Sequence, residues 1–249
     1  KIISALKDLD YEEATEIQKK AIPIALKRRD ILAAAQSGTG KTAAFLLPIL
    51  AELLETKQTK TILRTLILVP TRELASQISK AVEDFSKYMD ISSLAMVGGV
   101  STKDQEKKIA KGIDILVATS GRLMEHLKNG TVDLSSVTTV VIDEVDTMLD
   151  MGFLEDIEKI LPNVGPKRQI MMFSATMNQN VKKLAKEFLK DPVVIEVAQQ
   201  RSAVKIIDQQ IVLVDEANKA AALSYIIGSN NYSQVLVFVN MKIEADTLV

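Results

Sequence analysis

Short apolar, β-branched runs alternate with amphipathic helical patterns along residues 1–197 of the chain. Each run is apolar throughout, which is typical of strands that are buried on both faces of a parallel sheet. The longer gaps between the runs predict helices, for example over residues 73–88, 101–111 and 178–189. The pattern therefore predicts an α/β domain with a mostly parallel, doubly wound sheet between two helix layers. The predicted strands cover residues 31–34, 65–69, 92–97, 113–118, 138–142, 169–173 and 193–197.

The pattern changes after residue 197. The polar residues 198–206 predict a linker, and a strand (210–214), a helix (216–227) and a strand (235–239) are predicted after it. Roughly 45 residues are marginal for an independent hydrophobic core. We therefore expect the front part of a longer two-domain protein, with one domain at 1–197 and the beginning of a second at 207–249.

Composition narrows the class of protein. With 249 residues, 47% of them hydrophobic and 25% charged, the chain can bury a substantial core. The net charge of -1 favours neither nucleic acid nor membrane, so a polyanion must be bound by local Lys and Arg side chains. There is no cysteine, and the longest apolar stretch, residues 45–54, is too short to cross a bilayer. We expect a soluble, cytoplasmic protein without a membrane partner.

The most informative motif follows the first predicted strand, where a glycine-containing turn leads into a helix. Glycines allow backbone N–H groups to close around phosphates, and the helix N-terminus adds favourable partial charge. Lys41 can reach the β- and γ-phosphates of a nucleotide, and the Thr42 hydroxyl can ligate Mg²⁺. Ala35 stands where the general P-loop has its first glycine, and the alternative is a turn that binds nothing. The candidate nucleotide-binding residues here are Gln36, Ser37, Gly38, Thr39, Gly40, Lys41 and Thr42.

Acidic residues follow the predicted strand 138–142, at the end where a parallel sheet places its active site. Asp143 is predicted to hold Mg²⁺, directly or through water, and Glu144 to activate the water that attacks the γ-phosphate. Lys41, Asp143 and Glu144 are thus the candidate catalytic residues. The alternative is that these carboxylates only cap the helix predicted from Thr147.

At this point the chain resembles the DEAD-box RNA helicases over nearly its whole length. Residues 143–153 resemble motif II of that family, and residues 35–42 resemble its P-loop. The chain departs from the family pattern at Val145, Ser120, Ala14 and Asp10. Further matches are residues 11–18 (Q motif), 70–75 (motif Ia), 98–99 (Gly-Gly motif), 119–122, 174–176 (motif III) and 235–242, the opening motif of a second domain.

The resemblance implies a RecA-like P-loop domain followed by an incomplete second one, with ATP and Mg as cofactors. It assigns Gln18 to the adenine edge, which a side-chain amide can pair through one donor and one acceptor. Tyr11 is predicted to stack on the base, and the alternative is a core aromatic. Asp146, Ser174 and Thr176 would couple nucleotide state to RNA binding, and Ser174–Thr176 would alternatively cap a helix. The implied RNA-binding residues are Thr71, Arg72, Gly99, Thr119, Gly121 and Arg122.

The implied function is ATP-dependent unwinding of short RNA duplexes, or remodelling of RNA–protein complexes, with little sequence specificity. The partner is RNA, single-stranded or a short duplex, bound through its backbone by a monomer, with accessory proteins as further partners. Arginines of the second domain would lie beyond Val249, so we expect this chain alone to be nearly inactive. A DNA-directed ATPase and a non-catalytic RNA clamp are the competing hypotheses.

The remaining polar features have structural interpretations. Helix 101–111 interleaves lysines with acids and is predicted to be a solvated face. His126, the single histidine, is predicted to lie on the surface, and Arg72 and Arg122 have a structural ion pair as the alternative to RNA contact.

Overall fold

The computed structural model describes residues 1–36, 38–56, 62–197, 208 and 210–248. Seven strands in these residues form one sheet in the order β3-β4-β2-β5-β6-β1-β7, and every neighbouring pair is parallel. The predicted parallel α/β sheet is therefore confirmed. The strands are β1 (Ile31–Ala34), β2 (Thr65–Val69), β3 (Ser93–Met96), β4 (Ile115–Thr119), β5 (Thr139–Ile142), β6 (Gln169–Ser174) and β7 (Val193–Glu196).

Helices fill the connections between the strands. Some begin at side-chain caps: Thr71 Oγ1 accepts a hydrogen bond from Leu74 N–H (3.2 Å), and Asn178 Oδ1 accepts one from Val181 N–H (2.9 Å). The helices are α1 (Ile2–Asp8), α2 (Glu16–Leu26), α3 (Lys41–Glu55), α4 (Arg72–Phe85), α5 (Thr102–Ala110), α6 (Ser120–Lys128), α7 (Val145–Asp150), α8 (Leu154–Ile160), α9 (Gln179–Phe188), α10 (Lys219–Ser229) and α11 (Lys242–Leu248). Two short 3₁₀ helices cover Leu161–Asn163 and Glu216–Asn218.

The core lies on both faces of the sheet, because successive side chains of a strand point to opposite faces. In β2, Leu66 and Leu68 pack with α6 to α9, whereas Ile67 and Val69 pack with α2 to α4. A strand covered by helices on both faces must be apolar at every position, which explains the continuous apolar runs of the sequence.

The described residues divide into two units, residues 1–199 and residues 200–249. The sheet and α1 to α9 belong to the first unit, and α10 and α11 to the second. The predicted linker, 198–206, lies outside the described residues, and the proposed domain bounds stay a prediction. In the part of the chain that the structure describes, no helix is long and apolar enough to span a membrane.

The strands predicted at 210–214 and 235–239 are wrong. The structure assigns no strand to either segment, and Leu213 and Phe238 are 92% and 87% exposed. Apolar, β-branched composition favours a strand only where a neighbouring strand pairs with its backbone and covers its side chains. Neither segment has such a partner among the described residues.

Candidate functional site

The candidate residues meet at one edge of the sheet. Because the strands are parallel, the loops after β1 to β6 all leave from the carboxyl edge. The strand order divides this edge into two halves. We call the loops after β1, β5 and β6 (residues 35–42, 143–146 and 174–176) the acidic half. We call the loops after β2, β3 and β4 (residues 70–74, 97–100 and 119–122) the arginine half.

In the acidic half, the turn after β1 has the backbone that a phosphate cradle needs. Gly38 and Gly40 have φ angles of 81° and 93°, in the left-handed region that favours glycine. Gly40 is the N-cap of α3, and Lys41 is its first residue. The Thr39 hydroxyl donates to the Gln36 carbonyl (2.7 Å), which fixes the turn, and Ser37 lies outside the described residues.

Lys41 and Asp143 are both buried and face each other across β6, with 3.9 Å between Nζ and Oδ1. Lys41 Nζ has no hydrogen-bond partner among the described residues. Burial raises the pKa of Asp143 to about 6, although the charge of Lys41 opposes the shift. The predicted convergence of the glycine turn and the acidic strand end is therefore present in the geometry.

Glu144 adopts a strained backbone conformation, with φ 53° and ψ 49°. Such a conformation is uncommon outside glycine and often occurs at functional sites. The Glu144 backbone N–H donates to Asp143 Oδ1 (2.9 Å), which helps to orient that carboxylate. Glu144 is the N-cap of α7, but its side chain accepts no capping hydrogen bond. The helix-capping alternative is therefore wrong for Glu144.

The loop after β6 bonds directly to the acidic motif. Asp146 Oδ2 accepts hydrogen bonds from the backbone N–H (2.9 Å) and the hydroxyl (3.0 Å) of Thr176. The Ser174 hydroxyl donates to the Thr176 carbonyl (2.7 Å). Burial would raise the pKa of Asp146, but its hydrogen bonds, the one from the Thr176 hydroxyl first, lower it below its ordinary value. Since Asn178 caps α9, the alternative that Ser174–Thr176 cap this helix is wrong.

Gln18 joins α2 to the glycine turn. Its Oε1 accepts from Thr15 N–H (3.0 Å), and its Nε2 donates to the Gly40 carbonyl (3.1 Å). Gly40 has the left-handed φ of 93°, and a Cβ there would also displace that amide, so the position favours glycine. Tyr11 is 44% exposed and meets the Phe85 ring edge-on at 5.6 Å. Tyr11 is therefore not a core aromatic, and both adenine assignments stay predictions.

In the arginine half, both guanidinium groups reach the loop after β3. Arg72 Nη1 donates to the Gly98 carbonyl (3.0 Å), and Arg122 Nη2 donates to the Val100 carbonyl (2.9 Å). Arg122 also pairs with Glu125 (3.1 Å), so the ion-pair alternative is present for Arg122. Gly99 has φ 80°, and a Cβ there would clash with the Arg72 guanidinium.

The remaining candidates of this half lie at helix starts. Thr71 and Thr119 are the N-caps of α4 and α6, and Gly121 is exposed in the first turn of α6. Backbone N–H groups and hydroxyls at helix starts can donate hydrogen bonds to phosphate.

The prediction that His126 lies on the surface is wrong, because the residue is 1% exposed. Its ring bonds to Thr131 Oγ1 (2.8 Å) and to Gln105 Oε1 (3.1 Å). The buried Gln105 and the half-buried Thr131 satisfy both ring nitrogens, so the imidazole is buried without an unpaired polar atom. Gln105 itself was missed, although it is the buried position on α5, whose lysines are solvated as predicted.

Comparisons with known proteins agree with this geometry. The family model described as DEAD/DEAH box helicase matches residues 15–184. The chain is 39% identical to the DEAD-box ATP-dependent RNA helicase RhpA of Helicobacter pylori, covering 99% of the chain and 49% of RhpA. It is also 39% identical to the ATP-dependent RNA helicase DeaD of Escherichia coli K12, covering 97% of the chain and 38% of DeaD. The chain thus spans half or less of these relatives.

A solved structure shows the same fold. The crystal structure of a DEAD box protein from Methanococcus jannaschii superposes with a TM-score of 0.74 at 34% identity, covering 99% of this chain and 66% of that chain. The predicted RecA-like fold is therefore confirmed. On the strength of the matched family model and of the glycine turn and acidic motif that meet within it, the chain belongs to the DEAD/DEAH box helicase family.

Proposed function

We propose that the protein to which this chain belongs is an ATP-dependent RNA helicase. The observation that carries the proposal is the buried pair of Lys41 and Asp143 at the carboxyl edge, 3.9 Å apart. Lys41 Nζ and Asp146 Oδ1 are both buried without a hydrogen-bond partner among the described residues. A triphosphate with its cation supplies the acceptors and the positive charge that these groups need.

The residues also fit Mg²⁺, the cation expected with ATP. Thr42 is the second residue of α3, directly after Lys41, and Asp143 offers one buried carboxylate 3.9 Å from Lys41 Nζ. Among the described residues, no cluster of three or more His, Cys, Asp or Glu side chains could hold a metal alone. Such a site suits Mg²⁺, which keeps several waters and binds through few carboxylates plus phosphate oxygens. When bound, the ion would neutralise charge on the phosphates.

Different residues of the chain bind the nucleotide, activate the attacking water and couple the site to RNA. Backbone N–H groups of residues 38–42 bind the phosphates, and Lys41 contacts the β- and γ-phosphates. Glu144 orients the attacking water and accepts its proton, and the bond between that water and the γ-phosphorus forms as the β–γ bridge breaks. Asp146 and Thr176 transmit the nucleotide state through their hydrogen bonds, and Gln18 and Tyr11 bind the adenine.

The arginine half would bind the RNA backbone. Arg72 and Arg122 supply guanidinium forks for phosphate, and Thr71, Thr119 and the loop at Gly99 supply hydroxyls and backbone groups. Contacts of this kind position a strand without reading its bases, so little sequence specificity is expected. A monomer, accessory protein partners and a cytoplasmic location stay predictions, as does the near-inactivity of this chain alone.

The test is ATP hydrolysis by the full-length protein, measured without nucleic acid and with single-stranded RNA, duplex RNA and DNA of equal length. The proposal expects stimulation by RNA and unwinding of a short RNA duplex. Equal stimulation by DNA would favour the DNA-directed ATPase, and nucleotide-dependent RNA binding without turnover would favour the clamp. If the protein binds no nucleotide even at high ATP concentration, the assignment of the acidic half as a nucleotide site would be wrong.

A further inference from the structure

The loop after β3 is fixed by side chains from three helices. Its carbonyls at positions 97, 98 and 100 accept hydrogen bonds from Gln105 Nε2 (3.1 Å), Arg72 Nη1 (3.0 Å) and Arg122 Nη2 (2.9 Å). The donors come from α5, α4 and α6, in that order. Three of four successive carbonyls are thus bound to side chains, and Gly99 between them has the left-handed φ of 80°.

Gln105 differs from Arg72 in its burial. It is 2% exposed, whereas Arg72 is exposed and has its guanidinium at the surface. Gln105 therefore lies beneath the loop and cannot itself touch a ligand. If the arginines turn to RNA phosphates, their bonds to the loop must be shared or broken, and only the bond from Gln105 is unaffected.

His126 orients the Gln105 amide. A carbonyl oxygen only accepts, so Gln105 directs its NH₂ to Val97 and its Oε1 to the imidazole. His126 Nε2 must then donate, which assigns the proton to that nitrogen. Burial and the charge of Arg122 lower the pKa of His126, so the ring is neutral at pH 7 and its Nδ1 is the acceptor nitrogen. This nitrogen lies 2.8 Å from the Thr131 hydroxyl, which also reaches the His126 backbone carbonyl (3.1 Å). Two hydrogen bonds therefore run in one direction, from His126 through Gln105 to the loop.

We infer that Gln105, oriented by His126, is a positioning residue that presets the loop 97–100 for contact with the RNA backbone. The inference rests on the proposed function, since it assigns the loop to RNA. A loop that is already ordered pays less conformational entropy when it binds. Without Gln105, the half-buried Val97 carbonyl and the His126 ring would also lack their partner, and the loop would sample other conformations.

The test uses Gln105→Leu in the full-length protein, with amide hydrogen exchange at residues 97–101 in the absence of RNA. Loss of one buried hydrogen bond is expected to speed exchange there about tenfold. The RNA concentration for half-maximal ATPase stimulation is expected to rise about tenfold, with kcat at saturating RNA and the affinity for ATP unchanged. His126→Phe should shift both readouts in the same direction, and His126→Gln, which restores a donor, should reverse part of that shift.

Gln169→Leu is the matched control. Gln169 is also a glutamine, 3% exposed, that donates to two carbonyls, of Ala25 (3.1 Å) and Arg29 (2.7 Å), but it begins β6 at the opposite edge of the sheet. It should lower the free energy of unfolding without changing loop exchange or RNA half-saturation. Equal shifts in both variants, or unchanged exchange at 97–101 in Gln105→Leu, would overturn the inference. If RNA does not stimulate ATP hydrolysis by the wild-type protein, the proposed function is wrong instead. Hydrogen exchange at residues 97–101 still tests whether Gln105 orders the loop.

Discussion

The charged side chains in the two halves of the carboxyl edge differ in burial and in whether they have hydrogen-bond partners. In the acidic half, Lys41 and Asp143 are buried and too far apart for a hydrogen bond, at 3.9 Å. Lys41 Nζ and Asp146 Oδ1 have no hydrogen-bond partner within the described residues. In the arginine half, Arg72 is exposed and the Arg122 side chain is 11% exposed, and each donates to a carbonyl of the loop 97–100.

The difference indicates how each half responds to a ligand. Buried polar groups without partners cost free energy until a ligand satisfies them, so the acidic half gains most from binding. The arginines already have partners, and binding exchanges a carbonyl for a phosphate oxygen. Changes in the acidic half should therefore have large effects, and changes in the arginine half should have small, salt-dependent effects.

The largest effect is expected from Glu144→Gln in the full-length protein. The change removes the proposed base but leaves Lys41 and the glycine turn in place. ATP turnover should fall about 10²–10⁴-fold, while nucleotide affinity stays within about twofold. Steady-state hydrolysis at saturating RNA and direct nucleotide binding measure the two quantities. Glu155→Gln, at an exposed residue that pairs with Lys159 (3.0 Å) away from the acidic half, is the control, and unchanged turnover in Glu144→Gln would refute the assigned base.

A second test concerns the pH dependence that the burial of Asp143 imposes. The folded pKa of about 6 lies above the ordinary value of 3.8, so folding binds a proton between these values. The contribution of Asp143 is fully present below pH 3.8 and is lost as pH rises through 6. Asp143→Asn does not titrate. Relative to wild type, it should therefore gain up to about 3 kcal/mol of unfolding free energy between pH 4 and pH 7.

Urea unfolding at several pH values measures this difference, and Asp133→Asn provides a control of opposite sign. The backbone N–H of Ser135, and then its hydroxyl, lower the pKa of the exposed Asp133. Its stabilising contribution is present above its ordinary value and is lost as pH falls. Asp133→Asn should thus lose stability relative to wild type as pH rises from 3 to 5. A flat difference for Asp143→Asn would show that its carboxylate is not desolvated.

The acidic half could be predicted from the sequence because its functional residues directly follow strands that the apolar runs predict. The apolar run Thr65–Val69 is β2 residue for residue, and the apolar residues before Lys41 and Asp143 are β1 and β5. Parallel strands bring their carboxyl ends to one edge, so the residues that follow them must meet. The strain at Glu144 had no sequence signal, since a glutamate gives no sign of a left-handed backbone.

The support beneath the arginine half could not be predicted. Gln105 and His126 are 21 residues apart and lie on helices whose polar faces look solvated in the sequence. Whether a polar side chain is buried depends on a partner across the fold, which periodicity does not encode. The wrong strand predictions at 210–214 and 235–239 have the same cause, because a strand forms only where a neighbouring strand pairs with it, and composition does not show whether one is present.

A third test concerns the loop after β6, where Thr176 donates hydrogen bonds to Asp146. Thr176→Val removes the hydroxyl bond (3.0 Å) and keeps the backbone one (2.9 Å). The gain in RNA affinity caused by a non-hydrolysable ATP analogue should fall about tenfold, since one hydrogen bond to a charged group contributes about 1.5 kcal/mol or more. Thr176→Ser, which keeps the hydroxyl, should behave as wild type. An unchanged ratio of RNA affinities in Thr176→Val would separate this bond from coupling.

The smallest effect is expected in the arginine half, from Arg72→Ala. One lost phosphate contact lowers the slope of log affinity against log salt by about 1. Between 50 and 200 mM salt, the RNA affinity of the variant should therefore fall about threefold less than that of wild type. Lys80→Ala is the control, because Lys80 lies on the same helix but is bound to Asp84 (2.6 Å). Equal salt slopes for Arg72→Ala and wild type would show that Arg72 does not contact an RNA phosphate and serves only to hold the loop through its bond to Gly98.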